Sequence, residues 1–246
     1  ARLFAAQESP WLVKGGYGLE VRYGMKARTT RDVDLALPSL TPAMVGAGTA
    51  IQSVWEKLQD DAAIDLGDYF VIYIGAPRQE FDAPPEGGAR FPVEVNLDQR
   101  TFAKFHLDVG IGDIILNNIE WSSGEDYLSF AGIPRARFRI ISIAQQLAEK
   151  VHSYTLPRAS GLNSRVKDLI DLILILDHEV PAPESVKSAV EATFTHRKTH
   201  EIPLSIPAAP PSWAAPFASM AKELSLSHLT TEDAVARINS YWKTVF

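Results

Sequence analysis

Asp32 and Asp34 flank Val33 in the stretch DVDLAL, which alternates polar and apolar side chains. That alternation predicts a strand, and a strand puts residues i and i+2 on one face. Two carboxylates held so close repel each other unless a cation lies between them. Hard oxygen ligands at this spacing suit Mg²⁺ or Mn²⁺, which complete their shells with water and substrate phosphates. A pair of solvated acids on an exposed strand is the plain alternative.

Three neighbouring features favour phosphate chemistry over that alternative. Gly15-Gly16 opens a predicted helix, where a backbone without Cβ lets phosphate approach and the helix N-terminus attracts an anion. The pair matches neither the Gly-Lys-Ser/Thr phosphate loop nor the three-glycine dinucleotide fingerprint, so alone it is a weak signal. Arg28 and Arg31, in RTTR, place guanidinium groups where phosphates would lie. A third carboxylate on a neighbouring strand would complete a metal site. Asp108 in LDV and Glu94 in VEV are both acids between apolar residues.

Further along, Lys150 in LAEKVHSY lies beside core-facing Val151 and by itself reads as a surface lysine. Asp168 and Asp171, in RVKDLIDL, are three apart and share a helix face. Asp171 sits inside an apolar run and reads as a buried hydrogen-bond acceptor. His106, His152 and His178 have no metal-like spacing and read as ordinary core or surface histidines.

The elements that must position these groups fall into two halves. WLVKGG predicts a short strand running into a turn, and YGLEVRYG a helix closed by Gly24. DVDLAL and YFVIYIG predict strands, with a helix around Ile51 to Leu58 inside PAMVGAGTAIQSVWEKLQDD. FDAPPEGGA reads as a loop. Two more strands are predicted over Phe91–Leu97 and Lys104–Val109, with Asp98-Gln99-Arg100 near the turn. From Ile141 the pattern turns helical. One helix carries Ile143, Leu147, Val151 and Tyr154 on one face behind a Ser142 cap. A second, NSRVKDLIDLILILDH, has Asn163 or Ser164 as cap. A Pro-rich link, EIPLSIPAAPPSW, precedes a last helix capped by Thr230 or Thr231. Strands and helices followed by helices alone predict an α+β domain and then a helical one.

Composition narrows the classes. The 246 residues contain no cysteine, which excludes disulfide scaffolds, zinc–thiolate sites and cysteine nucleophiles. No segment resembles a signal peptide or a membrane span; LIDLILIL is too short and carries Asp171. These features fit a cytoplasmic protein. The first residue is Ala, and ARLFAAQESP reads as the tail of a helix begun upstream. A net charge of −6 requires any polyanion to meet a local patch. Lys14, Arg22, Lys26, Arg28 and Arg31 are candidates for it.

Taken in order, LVKGGYGLEVRYG, RTTRDVDLAL, FHLDVGIGD, LAEKVHSY and RVKDLIDL resemble the AbiEii/AbiGii-type nucleotidyltransferase toxin family, of the polymerase-beta-like nucleotidyltransferase superfamily. The resemblance runs from about Trp11 to Leu176. It implies a mixed-sheet α/β (α+β) nucleotidyltransferase core over residues 1–138. A helical domain over 139–246 would contribute Lys150 and Asp168 to the cleft. By the resemblance, Gly15 and Gly16 cradle the triphosphate, and Asp32 and Asp34 are paired metal ligands. Asp108 is then the third acid, with Glu94 as runner-up. Lys150 contacts nucleotide phosphates, and Asp168 holds metal or water or positions Lys150. Arg28 and Arg31 join Lys150 at the phosphates, and Thr30 stands where the family can carry a modifiable hydroxyl. Tyr17 departs from the small residue or Thr that many relatives have after the glycines. Related toxins modify the tRNA 3′ end and are paired with a separate antitoxin. The implied cofactor is therefore Mg²⁺ or Mn²⁺, and the implied partners are NTP, tRNA and an antitoxin protein. The alternatives are a nucleotide-binding interaction protein without turnover, or transfer to a protein or small-molecule acceptor.

Overall fold

The computed structural model describes residues 1–40, 49–81, 87–116, 119–158 and 164–246. Residues 42–48 of the PAMVGAG run, 82–86 of the expected loop and the candidate cap Asn163 lie outside the described residues. The chain divides into two compact units: residues 1–24 with 29–141, and residues 25–28 with 142–246.

The first unit is built on eight strands: β1 (Leu12–Lys14), β2 (Asp32–Leu37), β3 (Phe70–Ile74), β4 (Gln79–Phe81), β5 (Gly88–Leu97), β6 (Arg100–Ile111), β7 (Glu120–Ser123) and β8 (Arg137–Ile140). They form one sheet ordered β3-β5-β6-β2-β1-β8-β7, with β4 paired to β5. The β2–β6 and β1–β8 pairs are parallel and the others antiparallel, so the sheet is mixed as expected. Helix α1 (Gly15–Tyr23) follows β1 directly, and α2 (Ala50–Ala62) packs on the sheet. Alternation sorts the faces. Leu35, Leu37, Phe91, Val93, Leu107 and Val109 point into a core closed by Val54 and Leu58 of α2. Their neighbours in sequence, Asp34, Arg90 and Asp108 among them, face the other way. The β5–β6 hairpin turns through Asp98 and Gln99, both left-handed (φ 48° and 61°). A two-residue turn of that hand matches the twist of its strands, and both strands are longer than predicted. Residues Arg2–Phe4 make a single 3₁₀ turn.

The second unit is helical: α3 (Ile143–Thr155), α4 (Val166–His178), α5 (Pro183–Arg197), α6 (Ala214–Glu223) and α7 (Thr231–Val245). Ser142 caps α3, accepting the Gln145 N–H at 3.2 Å. Thr230 caps α7 in a reciprocal capping box with Asp233. Ser164 does not cap α4. The helix starts two residues later, and its cap residue is Arg165, whose side chain makes no capping hydrogen bond. The Pro-rich link is packed onto this unit. Tyr154 donates to the Pro207 carbonyl (2.9 Å), Trp242 to that of Pro203 (3.1 Å), and Trp213 is buried. Among the described residues, no helix is long and apolar enough to cross a membrane.

Candidate active site

Strand register brings the expected acids together. Asp34 of β2 is paired with Asp108 of β6 on one side and Lys14 of β1 on the other. Asp108 is paired in turn with Arg90 of β5. Residues paired in this way share a face, so Arg90, Asp108, Asp34 and Lys14 form one row of charges across four strands. The next row along that face is Pro92, His106 and Asp32. Here His106 Nδ1 lies 3.7 Å from Asp32 Oδ1. A third row is Tyr73, Glu94 and Lys104.

The two acids offered for the third position are thus separated by geometry. Asp108 stands beside Asp34. Glu94 stands two rows away, bound by Lys104 (2.9 Å) and by the Thr101 hydroxyl (2.8 Å). Those two bonds hold the Glu94 carboxyl below its ordinary range.

Cations bracket the row. The Arg90 guanidinium grips both oxygens of Asp108, at 2.7 and 2.6 Å. That bond, with the added charges of Asp32 and Asp34, holds Arg90 firmly protonated. At the other end the Lys14 ammonium is bonded to Asp113, and the pair lies across Gly110. Sequence reading missed Arg90 and Asp113. For Arg90 the signal was its phase: Arg90, Pro92 and Glu94 alternate with Phe91, Val93 and Val95, so all three must share the polar face.

The glycines fit a close approach. Gly15 has φ +64°, and a Cβ built on it would lie 2.0 Å from Asp34 Oδ2. The Asp34 carboxylate therefore rests against the first residue of α1, where the helix terminus favours negative charge. Gly15→Ala forces a left-handed non-glycine residue, costing about 1–3 kcal/mol, and pushes the carboxylate away. Displacement of a reacting group by about 1 Å is enough for a roughly 10²-fold loss of rate. Label transfer measured beside thermal unfolding checks both parts.

Tyr17, the departure noted above, turns inward and meets Phe138 edge-on at 6.3 Å. Thr30 donates its hydroxyl to the Asp32 carbonyl (3.2 Å), and its N–H is accepted by Glu20 (3.1 Å). Arg31 is exposed. Of the five cations in the opening stretch, three are already paired: Lys14 with Asp113, Arg22 with Glu120 and Arg28 with Asp171.

Lys150 and Asp168 are also brought together, within the helical unit. Lys150 Nζ lies 3.0 Å from Asp168 Oδ1 and 2.7 Å from Asp171 Oδ2. Arg28 belongs to this unit and donates to both oxygens of Asp171, at 2.7 and 2.8 Å. Burial alone would discharge Lys150, but Asp171 and Asp168 outweigh it and hold the ammonium above its usual range.

The oxygen donors fit a hard divalent cation in part. Asp32 and Asp34 share a face, and the Asp32 side chain is 43% exposed, which leaves room for the waters such a cation keeps. Each Asp108 oxygen accepts one Arg90 N–H, which leaves one lone pair on each for a cation. Among the described residues no three acids or histidines already converge as a metal-binding group.

The profile of the nucleotidyl transferase AbiEii toxin family, described as a type IV toxin–antitoxin system, matches residues 1–238. The nucleotidyltransferase toxin MenT4 of Mycobacterium tuberculosis H37Rv has a similar fold: TM-score 0.57 at 16% identity, covering 99% of this chain and 89% of that one. The antibiotic-resistance factor ANT(2'')-Ia aligns over 79% of this chain and 88% of its own at 16% identity, with a TM-score of 0.39. No curated protein sequence matches the chain.

Proposed function

This chain belongs to the AbiEii nucleotidyltransferase toxin family, and from that premise we propose that it moves a nucleoside monophosphate from an NTP to the 3′-terminal hydroxyl of a tRNA. In this reading it is the toxin partner of a separate antitoxin and works in the cytoplasm, where both substrates are found. The supporting observation is the cross-strand row Arg90–Asp108–Asp34–Lys14, with Asp32 in the next row and Gly15 against Asp34.

Asp32 and Asp34 would hold Mg²⁺ or Mn²⁺, which when bound supplies Lewis-acid charge to the triphosphate. The backbone at Gly15 and Gly16 receives phosphate oxygens at the start of α1. Arg31 balances charge on the leaving pyrophosphate. The acceptor oxygen bonds to the α-phosphorus, the bond to the β-phosphate oxygen breaks, and the acceptor proton passes to Asp108. Each Asp108 oxygen keeps one lone pair for that proton beside its bond from Arg90. Lys150 and Asp168 keep the roles the resemblance gives them, phosphate contact and positioning of that lysine. The 3.0 Å pair supports the second.

Purified chain given each α-labelled NTP, Mg²⁺ and total RNA is expected to label tRNA-sized RNA. Transfer is expected to fall to background in EDTA and to return with Mg²⁺ or Mn²⁺. Undiminished turnover in EDTA would remove the metal-ligand roles of Asp32 and Asp34. Arg90 on Asp108 favours one second reading, a nucleotide-binding partner without turnover, because it already pairs the charge of the third acid. NTP binding without label transfer to any acceptor would select that reading.

A further inference from the structure

A cleft of about 1030 Å³ opens beside the acid row, within the first unit. Thr30 and Arg31 line it at the start of β2, beside His106, and Tyr73 and Lys104 line it in the third row. Arg78 also lines it and lies across β5 from the acid row, its N–H bonded to the Arg90 carbonyl (2.9 Å). Its volume reaches the top of the range for a small-ligand pocket, about 300–1,000 Å³. The lining is chemically divided. Tyr73 belongs to β3, at the edge of the sheet, and is 58% exposed. A large aromatic ring left in solvent at the mouth of a cleft is a stacking surface looking for a flat partner. Arg78 is exposed. Lys104 is balanced by Glu94, and Glu20 is taken up by the Thr30 N–H.

Register fixes how this lining meets the acids. Tyr73–Glu94–Lys104 is the third row of the same sheet face, and His106–Asp32 the second. Rows on one face are two residues apart along a strand, so the third row lies about 13 Å from Asp34 and Asp108. A group reaching from the acid row to Tyr73 is longer than one nucleotide.

We infer that this end of the cleft is the acceptor subsite, and that it takes the single-stranded 3′ end of an RNA. The terminal hydroxyl sits at the Asp108 row. A base just upstream of the terminus stacks on Tyr73, and Arg78 meets one backbone phosphate. Stacking dominates and charge contributes little, because the cleft holds few uncompensated cations. The inference rests on the transfer reading above and adds to it where the acceptor lies.

The test is fluorescence anisotropy with a 5′-fluorescein-labelled, eight-nucleotide single-stranded RNA ending in a 3′-deoxyribose. It is run on the full chain, with wild type, Tyr73→Ala and Arg78→Ala. A fluorescent NTP analogue is titrated in parallel. Tyr73→Ala is expected to weaken RNA binding roughly 10-fold or more, the scale of one lost base–aromatic stack. Arg78→Ala is expected to reduce the slope of log affinity against log salt by about 0.7, one single-strand phosphate. NTP affinity should hold in both. Unchanged RNA affinity in both variants would overturn the inference. So would loss of NTP affinity in Tyr73→Ala, which would make the ring part of the nucleotide pocket. Failure of the wild type to bind the RNA while an extended peptide binds the β3 edge would overturn it as well. Wild-type label transfer is read separately. If transfer persists while the variants bind RNA normally, the subsite fails and the transfer reading stands.

Discussion

Asp34→Ala is expected to lower nucleotidyl transfer by roughly 10³-fold or more, the scale of losing a group that organises transition-state charge. Folding should survive. Asp34 lies beside Asp108 in the charged row, so its removal relieves a like-charge contact. Lys14 is not orphaned, because its ammonium is bonded to Asp113. Asp34 is half-buried on the polar face of the sheet and is no part of the apolar core. Label transfer at saturating NTP and thermal unfolding, run side by side, separate the two effects. Asp34→Asn keeps the shape and removes the charge, so it should lose activity to a similar degree. If Asp34→Asn transfers label at the wild-type rate, the carboxylate has no part in the chemistry.

The strand that carries this residue was legible because Asp32 and Asp34 alternate with Val33, Leu35 and Leu37. The same alternation in LDV placed Asp108. What alternation cannot supply is which strand lies beside which. The neighbours of Asp34 come from segments far from it in sequence, 20 residues before and 74 after. Parallel pairing of β2 with β6 is a tertiary choice, made by burying Leu35, Leu37, Leu107 and Val109 together against α2. Glu94 and Asp108 look alike in sequence, each an acid between apolar residues. Only register puts one beside Asp34 and the other two rows away. Arg90 was hidden for the same reason, since its partner is Asp108 across a hairpin. Linear proximity within the basic cluster of the opening stretch says nothing about carboxylates folded in later. Asp113, Glu120 and Asp171 each take one of its members. The helix caps were legible at Ser142 and Thr230, where a hydroxyl stands directly before an apolar period. Arg165 before α4 offers no such signal.

The largest effect on stability is expected at Asp171. Its side chain is completely buried, and three bonds from two cations converge on it: two from Arg28 and one from Lys150. Asp171→Ala leaves a guanidinium and an ammonium without that carboxylate, among Ile170, Leu172 and Ile175 of α4. Breaking a buried ion network by removing one partner costs about 3–5 kcal/mol, mostly the uncompensated charge left behind. Burial would raise the Asp171 carboxyl, but Lys150 and Arg28 outweigh it and hold it below the ordinary value of 3.8. Its contribution is therefore present above that value and is lost as pH falls through the lower folded one. Lys150 is held above its ordinary 10.5, so its contribution is present below that value and is lost as pH rises through the higher folded one. The penalty of Asp171→Ala should accordingly be flat between about pH 5 and 9, because neither group titrates there. Urea unfolding of wild type and variant at pH 5, 7 and 9 measures it. Replacing the whole network together, Arg28→Met, Lys150→Met, Asp168→Asn and Asp171→Leu, should restore much of the loss, because uncharged groups of similar volume need no compensation and buried Asp168, which Lys150 also holds at 3.0 Å, is not left as an unpaired charge. The transfer reading proposed above has Lys150 contact nucleotide phosphates, so this fourfold variant should fold and yet transfer poorly. Full activity in a stable fourfold variant would make Lys150 and Asp168 purely structural residues. A loss of stability as large as that of Asp171→Ala alone would show that its cost was packing and not charge.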